Sequence, residues 1–346
     1  MGVLVVGHGV HCCRSGTADS PPVGSAADAV PFAPSAGTCD DRPVTARFLT
    51  AGEALTDIVV RADGATTEYP GGSPMNVAVA LGRLGHDSRL LTRIGSDGRG
   101  AAIREHVERS HVRLTPGSID ERPTSTAAAH IQADGSAQYE FDLVWDVDPQ
   151  GLPEVVDAVH TSSIAAVLAP GAATIAEVVD RYAPTATISY DPNARPALMG
   201  DAATARGIIE GIIARAHVVK SSDEDVAWLY GTDDVEDVVA SWRELGPTIT
   251  ALTRGGDGAV GFGPAGRVEI ASNPVTVADT VGAGDTFSAG ILHALAEREL
   301  LGAARREQLA ALTAADLEAV LSTAAGLAAV TVSRPGADPP WRAELG

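Results

Sequence analysis

Between residues 164 and 231 the chain reads IAAVLA (164–169), TIAEVVDRYA (174–183), ATISY (186–190), GIIEGIIARA (207–216), HVVK (217–220) and DEDVAWLYG (223–231). Short apolar runs alternate with longer stretches of helical spacing. This predicts strand, helix, strand, helix, and so a mostly parallel sheet covered by helices. The pattern extends upstream: FLTAGEAL (48–55) and SRLLTRI (88–94) read as strands, and GRGAAIREHVERS (98–110) reads as a helix. Two stretches break the alternation. DIVVRADGATTEYP (57–70) and STAAAHIQADGSAQYEF (125–141), the latter with an Asp134-Gly135 turn, read as antiparallel hairpins that could form a small sheet projecting from the main one.

Composition narrows the function. The chain has 346 residues, 25 Lys+Arg against 45 Asp+Glu and a formal net charge of -20, which opposes binding to nucleic acid or an anionic membrane surface. Hydrophobic residues make up 45% of the chain, enough for a sizeable core. Lys220 is the single lysine and follows Val219, so a Walker A loop, which needs Gly-Lys, is excluded. Cys12, Cys13 and Cys39 all precede the patterned region, which predicts a cytoplasmic body without disulfides. No membrane span is expected. Residues 1–45, rich in Gly, Pro, Ser, Ala and Asp, read as a disordered extension, and Val44 reads as an alternative natural start. The His8, His11, Cys12, Cys13 cluster lacks a second ligand pair for a metal. The remaining histidines show no ligand spacing.

Two stretches carry chemistry. In Gly71-Gly72-Ser73-Pro74-Met75-Asn76, Ser73 suits an N-cap and Pro74 the first helical position, predicting a helix over 74–84. The two glycines let a ligand approach the backbone, and Asn76 offers a donor and an acceptor to a hydroxylated ligand. A plain turn and cap would look the same. In Asp279-Thr280-Val281-Gly282-Ala283-Gly284-Asp285, small residues precede the amphipathic TFSAGILHALAE and expose N–H groups that suit phosphate oxygens. A carboxylate is awkward in an anion site, so Asp285 reads as a general base, although acidic residues at helix N-termini commonly serve only stability.

The segments GGSPMNVAVALGRLG (71–85) and DTVGAGDTFSAGIL (279–292) resemble the two signatures of the PfkB, or ribokinase-like, carbohydrate kinases, closest to the fructokinase-like branch. Between them GEALTDIVV, RIGSDGRG, YDPNARP, VVKSSDEDVAWLYG and LTRGGDGAV follow in the family's order, over about residues 47–340. The resemblance implies one αβα kinase domain over 46–340, with a small β-sheet lid whose hairpins cover about 57–70 and 123–143. It implies ATP-dependent phosphorylation of a sugar hydroxyl, with Mg²⁺ and K⁺ as cofactors and a homodimer through the lid. Asp57, Gly71, Gly72, Asn76 and Asp285 would hold the sugar; Asp285 would be the base and Gly282, Ala283 and Gly284 the anion hole. Lys220, Ser222, Asp225, Thr253, Arg254, Gly255 and Gly258 would face ATP, and Asp279 and Val281 a monovalent cation. Asp225 departs from the family's usual Asn-x-x-Glu, which implies weaker magnesium binding. Phe141 and Trp145 are expected to discriminate substrates by stacking, whereas the Asp191-Pro192-Asn193 turn with Arg195 is expected not to touch the sugar. Fructokinase is the favoured activity. Ribokinase, 2-keto-3-deoxygluconate kinase, nucleoside kinase and a sugar-sensing pseudokinase are the alternatives, and an ADP-release assay separates the last from the rest.

Overall fold

Short runs buried at nearly every position form most strands of the main sheet, and the computed structural model, which describes residues 45–61, 63–132 and 137–345, arranges the strands in three sheets. In chain order the strands are β1 (Arg47–Ala51), β2 (Leu55–Val60), β3 (Thr66–Gly71), β4 (Asp87–Leu91), β5 (Ile94–Gly95), β6 (Val112–Leu114), β7 (Ile119–Asp120) and β8 (Thr126–Ile131). They continue with β9 (Ala137–Asp142), β10 (Ala158–Ser162), β11 (Thr187–Asp191), β12 (Val218–Ser222), β13 (Ile249–Thr253), β14 (Ala259–Gly263) and β15 (Gly266–Ile270). The helices are α1 (Ser73–Arg83), α2 (Gly98–Arg109), α3 (Gly171–Tyr182), α4 (Pro196–Met199), α5 (Ala202–Ile213), α6 (Asp223–Tyr230), α7 (Val235–Ser241), α8 (Ala283–Glu297), α9 (Arg306–Ala310) and α10 (Ala314–Val332). The expectations for residues 1–44 and for the Asp134-Gly135 turn lie outside the described residues.

The main sheet has the order β15-β14-β13-β12-β11-β10-β1-β4-β6 and is parallel except for β14 and β15. Its core is split by strand parity. Leu49, Val159, Ile188 and Val219 pack with Ile175 and Val179 of α3 and Ile209 of α5. Phe48 and Ala158 face Val77 and Leu81 of α1 and Leu292 of α8. Helices therefore cover both faces, giving the three-layer αβα arrangement. The chain builds outward from β1 to β4 and β6 on one side, and from β10 to β11, β12 and β13 on the other. The crevice between β1 and β10 is the reversal point where α/β folds bind ligands.

The smaller sheet joins two hairpins, β2 with β3 and β8 with β9, through a parallel β2–β8 contact. Its base is tied down by Arg93, which is almost fully buried and donates to Asp120 at 2.5 Å and to the Pro123 carbonyl at 2.5 Å. The Arg93 hydrogen bond is the largest influence holding the Asp120 carboxyl well below the usual range. Asp120→Ala would strand a buried guanidinium. Since the Asp120 side chain is 30% exposed, the expected cost is about 3 kcal/mol, the lower end for a broken buried pair, measurable by urea denaturation. A loss below about 0.5 kcal/mol, the scale of ordinary surface changes, would show that Pro123 alone satisfies Arg93.

Two expectations need correction. The run IAAVLA is not a strand: β10 lies upstream at Ala158–Ser162, and residues 163–166 form a short 3-10 turn. The strand was masked by its polar residues His160, Thr161 and Ser162, which are buried because both sheet faces are covered. Helix α1 is capped by Gly72 without a side-chain bond, so Ser73 is not its cap. Its hydroxyl points into the site instead. Among the described residues α10 alone is long and apolar enough, by length and composition, to cross a membrane. It packs as a core helix, with Leu317, Val320, Leu321 and Ala324 against α8 and against Ala259 and Val268 of β14 and β15.

Candidate active site

At the N-terminus of α8, Gly282 is the helix cap, with φ +76. A Cβ there would lie 2.6 Å from the Ala337 side chain, so conformation and space both require glycine. The first-turn amides of a helix have no intrahelical acceptor and carry its positive end. Of the three expected anion-hole amides, Ala283 N–H already bonds the Thr280 carbonyl at 3.3 Å. A Cβ on Gly284 would come within 2.8 Å of Lys220 Nζ, so the ammonium lies against this turn.

Asp285 is buried in the same turn. Its Oδ1 accepts from Ser73 Oγ at 2.6 Å and its Oδ2 from Asn76 Nδ2 at 2.8 Å. Ser73 Oγ also lies 2.7 Å from Ser162 Oγ at the end of β10. The Gly-Gly-Ser-Pro-Met-Asn stretch and the Gly-Ala-Gly-Asp stretch, more than two hundred residues apart, thus meet through one carboxylate. Two donors fix its orientation, as a general base requires.

Asp57 stands on β2, pointing from the lid sheet. Burial pushes its carboxyl up to about 6, against the attraction of Arg195, and nearby Asp285 adds to the rise. Gly71 pairs with Leu55 beside it, and a Cβ there would sit 1.9 Å from Asp57 Oδ2, so only glycine lets the carboxylate lie against the backbone. A Cβ on Gly72 would strike the Glu53 carbonyl at 2.5 Å. Asp57, Gly71, Gly72, Asn76 and Asp285 therefore come together. The Arg195 charge acts on Asp57 from the turn after β11, while its Nη1 donates to the Asn193 and Ala194 carbonyls. β11 pairs with β10, so that turn begins at the same end of the sheet as the end of β10.

Lys220 and Asp191 are both buried and pair at 3.0 Å, and Ser288 Oγ donates to the same Asp191 oxygen at 3.3 Å. Burial opposes the lysine charge, but Asp191, Asp225 and Asp285 outweigh it and raise its pKa. The lysine charge is therefore favoured beside the first turn of α8. Asp225 is engaged differently from expectation. It completes a capping box with Ser222 at the start of α6, and its Oδ1 accepts the Ala194 N–H at 2.8 Å. A carboxylate one methylene shorter than Glu stays at the helix terminus, so its principal contacts are with backbone. Ser222 and Thr253 are paired neighbours on β12 and β13. Gly255 (φ +51) and Gly258 (φ +87) shape the loop beyond them, and Arg254 bonds Glu269. Asp279 accepts the N–H of Val281 at 3.0 Å and of Gly336 at 2.9 Å, orienting its oxygens beside the C-terminal end of α10.

Trp145 shares a cavity wall with Phe141. It is buried, its Nε1 donates to the Ala165 carbonyl at 3.0 Å, and it fills the space left by Gly171. Phe141 stays on the lid, stacked with Tyr139 at 6.0 Å. Ser73, Ser162, Glu53 and Arg195 were missed as site residues. A serine between diglycine and proline carries no signal beyond capping, whereas Glu53 in GEALTD could have been flagged as a charged residue inside an apolar strand end.

Residues 46–344 match the family model described as pfkB family carbohydrate kinase. A fructokinase of Rhizobium leguminosarum bv. trifolii is 34% identical over 265 residues, covering 73% of this chain and 81% of the relative. Among solved structures, aminoimidazole riboside kinase from Salmonella enterica, complexed with aminoimidazole riboside and an ATP analogue, superposes with a TM-score of 0.68 at 24% identity, covering 84% of this chain and 94% of that one. A double-mutant fructokinase from Vibrio cholerae O395, bound to fructose, ADP and potassium ion, gives a TM-score of 0.67 at 22% identity over 85% and 94% of the two chains.

Proposed function

Because this chain belongs to the pfkB family of carbohydrate kinases, we propose that it transfers the γ-phosphate of ATP to a hydroxyl of a ketose, D-fructose first among common sugars. The observation that carries the reading is Asp285, oriented by Ser73 and Asn76 at the helix end backed by Lys220. The acceptor hydroxyl would lie between Asp57 and Asp285, give its proton to Asp285 and attack the phosphorus in line. The Gly284 and Asp285 amides and Lys220 would take up charge on the phosphate oxygens. Ser222, Thr253, Arg254, Gly255 and Gly258 would hold the nucleotide.

Magnesium would neutralise phosphate charge. With Asp225 committed to backbone donors, it would be carried mainly by ATP and water, which suits an ion that keeps several waters. Asp279 and the Val281 carbonyl fit a monovalent cation, since the carboxylate is fixed by two N–H groups beside a helix C-terminus. Potassium in the Vibrio fructokinase supports that part of the reading. Tyr69 and Tyr139, each 49% exposed and on the Asp57 face of the lid sheet, support pairing of two lids in a homodimer. The cytoplasm, where ATP is available, is the expected compartment.

A ketose is favoured over a nucleoside because Trp145 is sequestered, leaving few aromatics to form a slot for a base. Arg195 supports a second reading. Its positive charge acts on the pocket carboxyls and would meet the carboxylate of 2-keto-3-deoxygluconate. Initial rates with fructose, ribose, adenosine and 2-keto-3-deoxygluconate decide among these, and kcat/KM about tenfold higher for any rival would overturn the fructose assignment. Asp57→Ala is expected to raise the sugar KM about tenfold to a hundredfold, the equivalent of losing a charge-assisted bond, with the ATP KM little changed. An unchanged sugar KM would place the sugar elsewhere.

A further inference from the structure

Three carboxyls converge on the crevice between β1 and β10, and the mechanism above uses two. The third, Glu53, follows β1 and is only 6% exposed. Its hydrogen-bond partners are the Ser163 hydroxyl and its own backbone N–H, and its Oε2 has no partner. Among the described residues no cation pairs with it: Arg195 acts on it from a distance while directing Nη1 to the Asn193 and Ala194 carbonyls. From the other packed elements, Asp285 of α8 adds a like charge, and Asp57 feels the same Asp285 and Arg195. Thr161 and Tyr190 share the sheet row that begins at Ala51, and their hydroxyls also lack partners. Ser163 holds φ +59, a conformation that costs a non-glycine residue energy and persists only where its surroundings enforce it.

A buried carboxylate without a paired cation is expensive, and a third anion beside Asp57 and Asp285 in a pocket that must also receive a phosphate would be more so. We propose that Glu53 is a positioning residue for phosphoryl transfer: as an uncharged acid it braces the Ser163 turn and keeps a third negative charge away from Asp57 and Asp285, and its ionisation turns catalysis off above neutral pH. Burial, the dominant cause, pushes its carboxyl up to about 8, consistent with this geometry.

The inference rests on the kinase reading only in its kinetic arm, so the test has two arms. The first compares melting temperatures of the full chain and Glu53→Gln across pH, without substrate. The unfolded chain releases the Glu53 proton above about 4.3. The folded chain holds it to about 8, so as pH rises between these values the parent loses a share of stability that the variant does not have to lose. The variant should gain on the parent from pH 5 to pH 8 and then level off, and a pH-independent difference would overturn the proposal. In the second arm, kcat at saturating fructose and ATP should fall about tenfold in the parent from pH 7 to pH 9, and by less than about twofold in Glu53→Gln. The same alkaline loss in both would also overturn it. Should Glu53→Gln not fold, Ser163→Gly removes a hydroxyl that stabilises the carboxylate, so the alkaline loss should move to higher pH, and an unmoved profile counts against the proposal. A parent that phosphorylates no sugar while the first arm succeeds would defeat the kinase reading and leave the charge state of Glu53 established.

Discussion

Asp285→Asn is expected to lower kcat by about 10² to 10⁴ while leaving the sugar KM within about threefold, the signature of a lost general base. The geometry makes this variant clean. The oxygen of the introduced amide can keep the bond from Asn76 Nδ2, and its nitrogen can face Ser73, whose hydroxyl then turns to donate to Ser162. No buried polar group is orphaned, so melting temperature should change little. A rate above half the parent's would remove Asp285 from the chemistry. A loss of rate accompanied by a large drop in stability would point to a structural role.

The second large effect is at Lys220. Lys220→Met would leave Asp191, 1% exposed, without its cation, and removing one partner of a buried pair costs about 3 to 5 kcal/mol. Two roles are superimposed in that lysine, and a double variant separates them. Lys220→Met with Asp191→Asn removes both charges, so it should recover much of the stability. It should still show kcat lowered by about 10², the scale for losing a charge-stabilising donor from the transferring phosphate. Denaturation curves and single-turnover rates on the two variants provide the check. Full recovery of rate in the double variant would confine Lys220 to holding Asp191 in place.

Both effects involve residues that the sequence marks. Lys220 stands out as the single lysine, and Asp285 as an acid where an anion site is expected. Their partners are less visible. Ser73 has the same local signature whether it caps a helix or serves Asp285, and the difference arises because α1 and α8 pack together, so that its hydroxyl meets a carboxylate distant in sequence. Asp225 shows the reverse, a residue marked for ligand that also completes the capping box of α6 and accepts the Ala194 N–H from the turn after β11.

Alternation of elements determined the class of fold, because helices write their burial at 3.6 residues and the short apolar runs between them read as strands covered on both faces. It also located α3, α5, α6, β11 and β12. It failed at β10, where a strand covered on both faces carries His160, Thr161 and Ser162 toward buried partners, and no local period encodes a partner. The two glycine-rich stretches determined where a ligand could approach the backbone, since positive φ and missing Cβ atoms are local properties. Charge state was decided only by tertiary structure. Glu53, Asp57 and Lys220 are ordinary ionisable residues in the sequence, and what distinguishes them is desolvation and the sign of neighbours brought from other strands and helices, which exist only once the chain is folded.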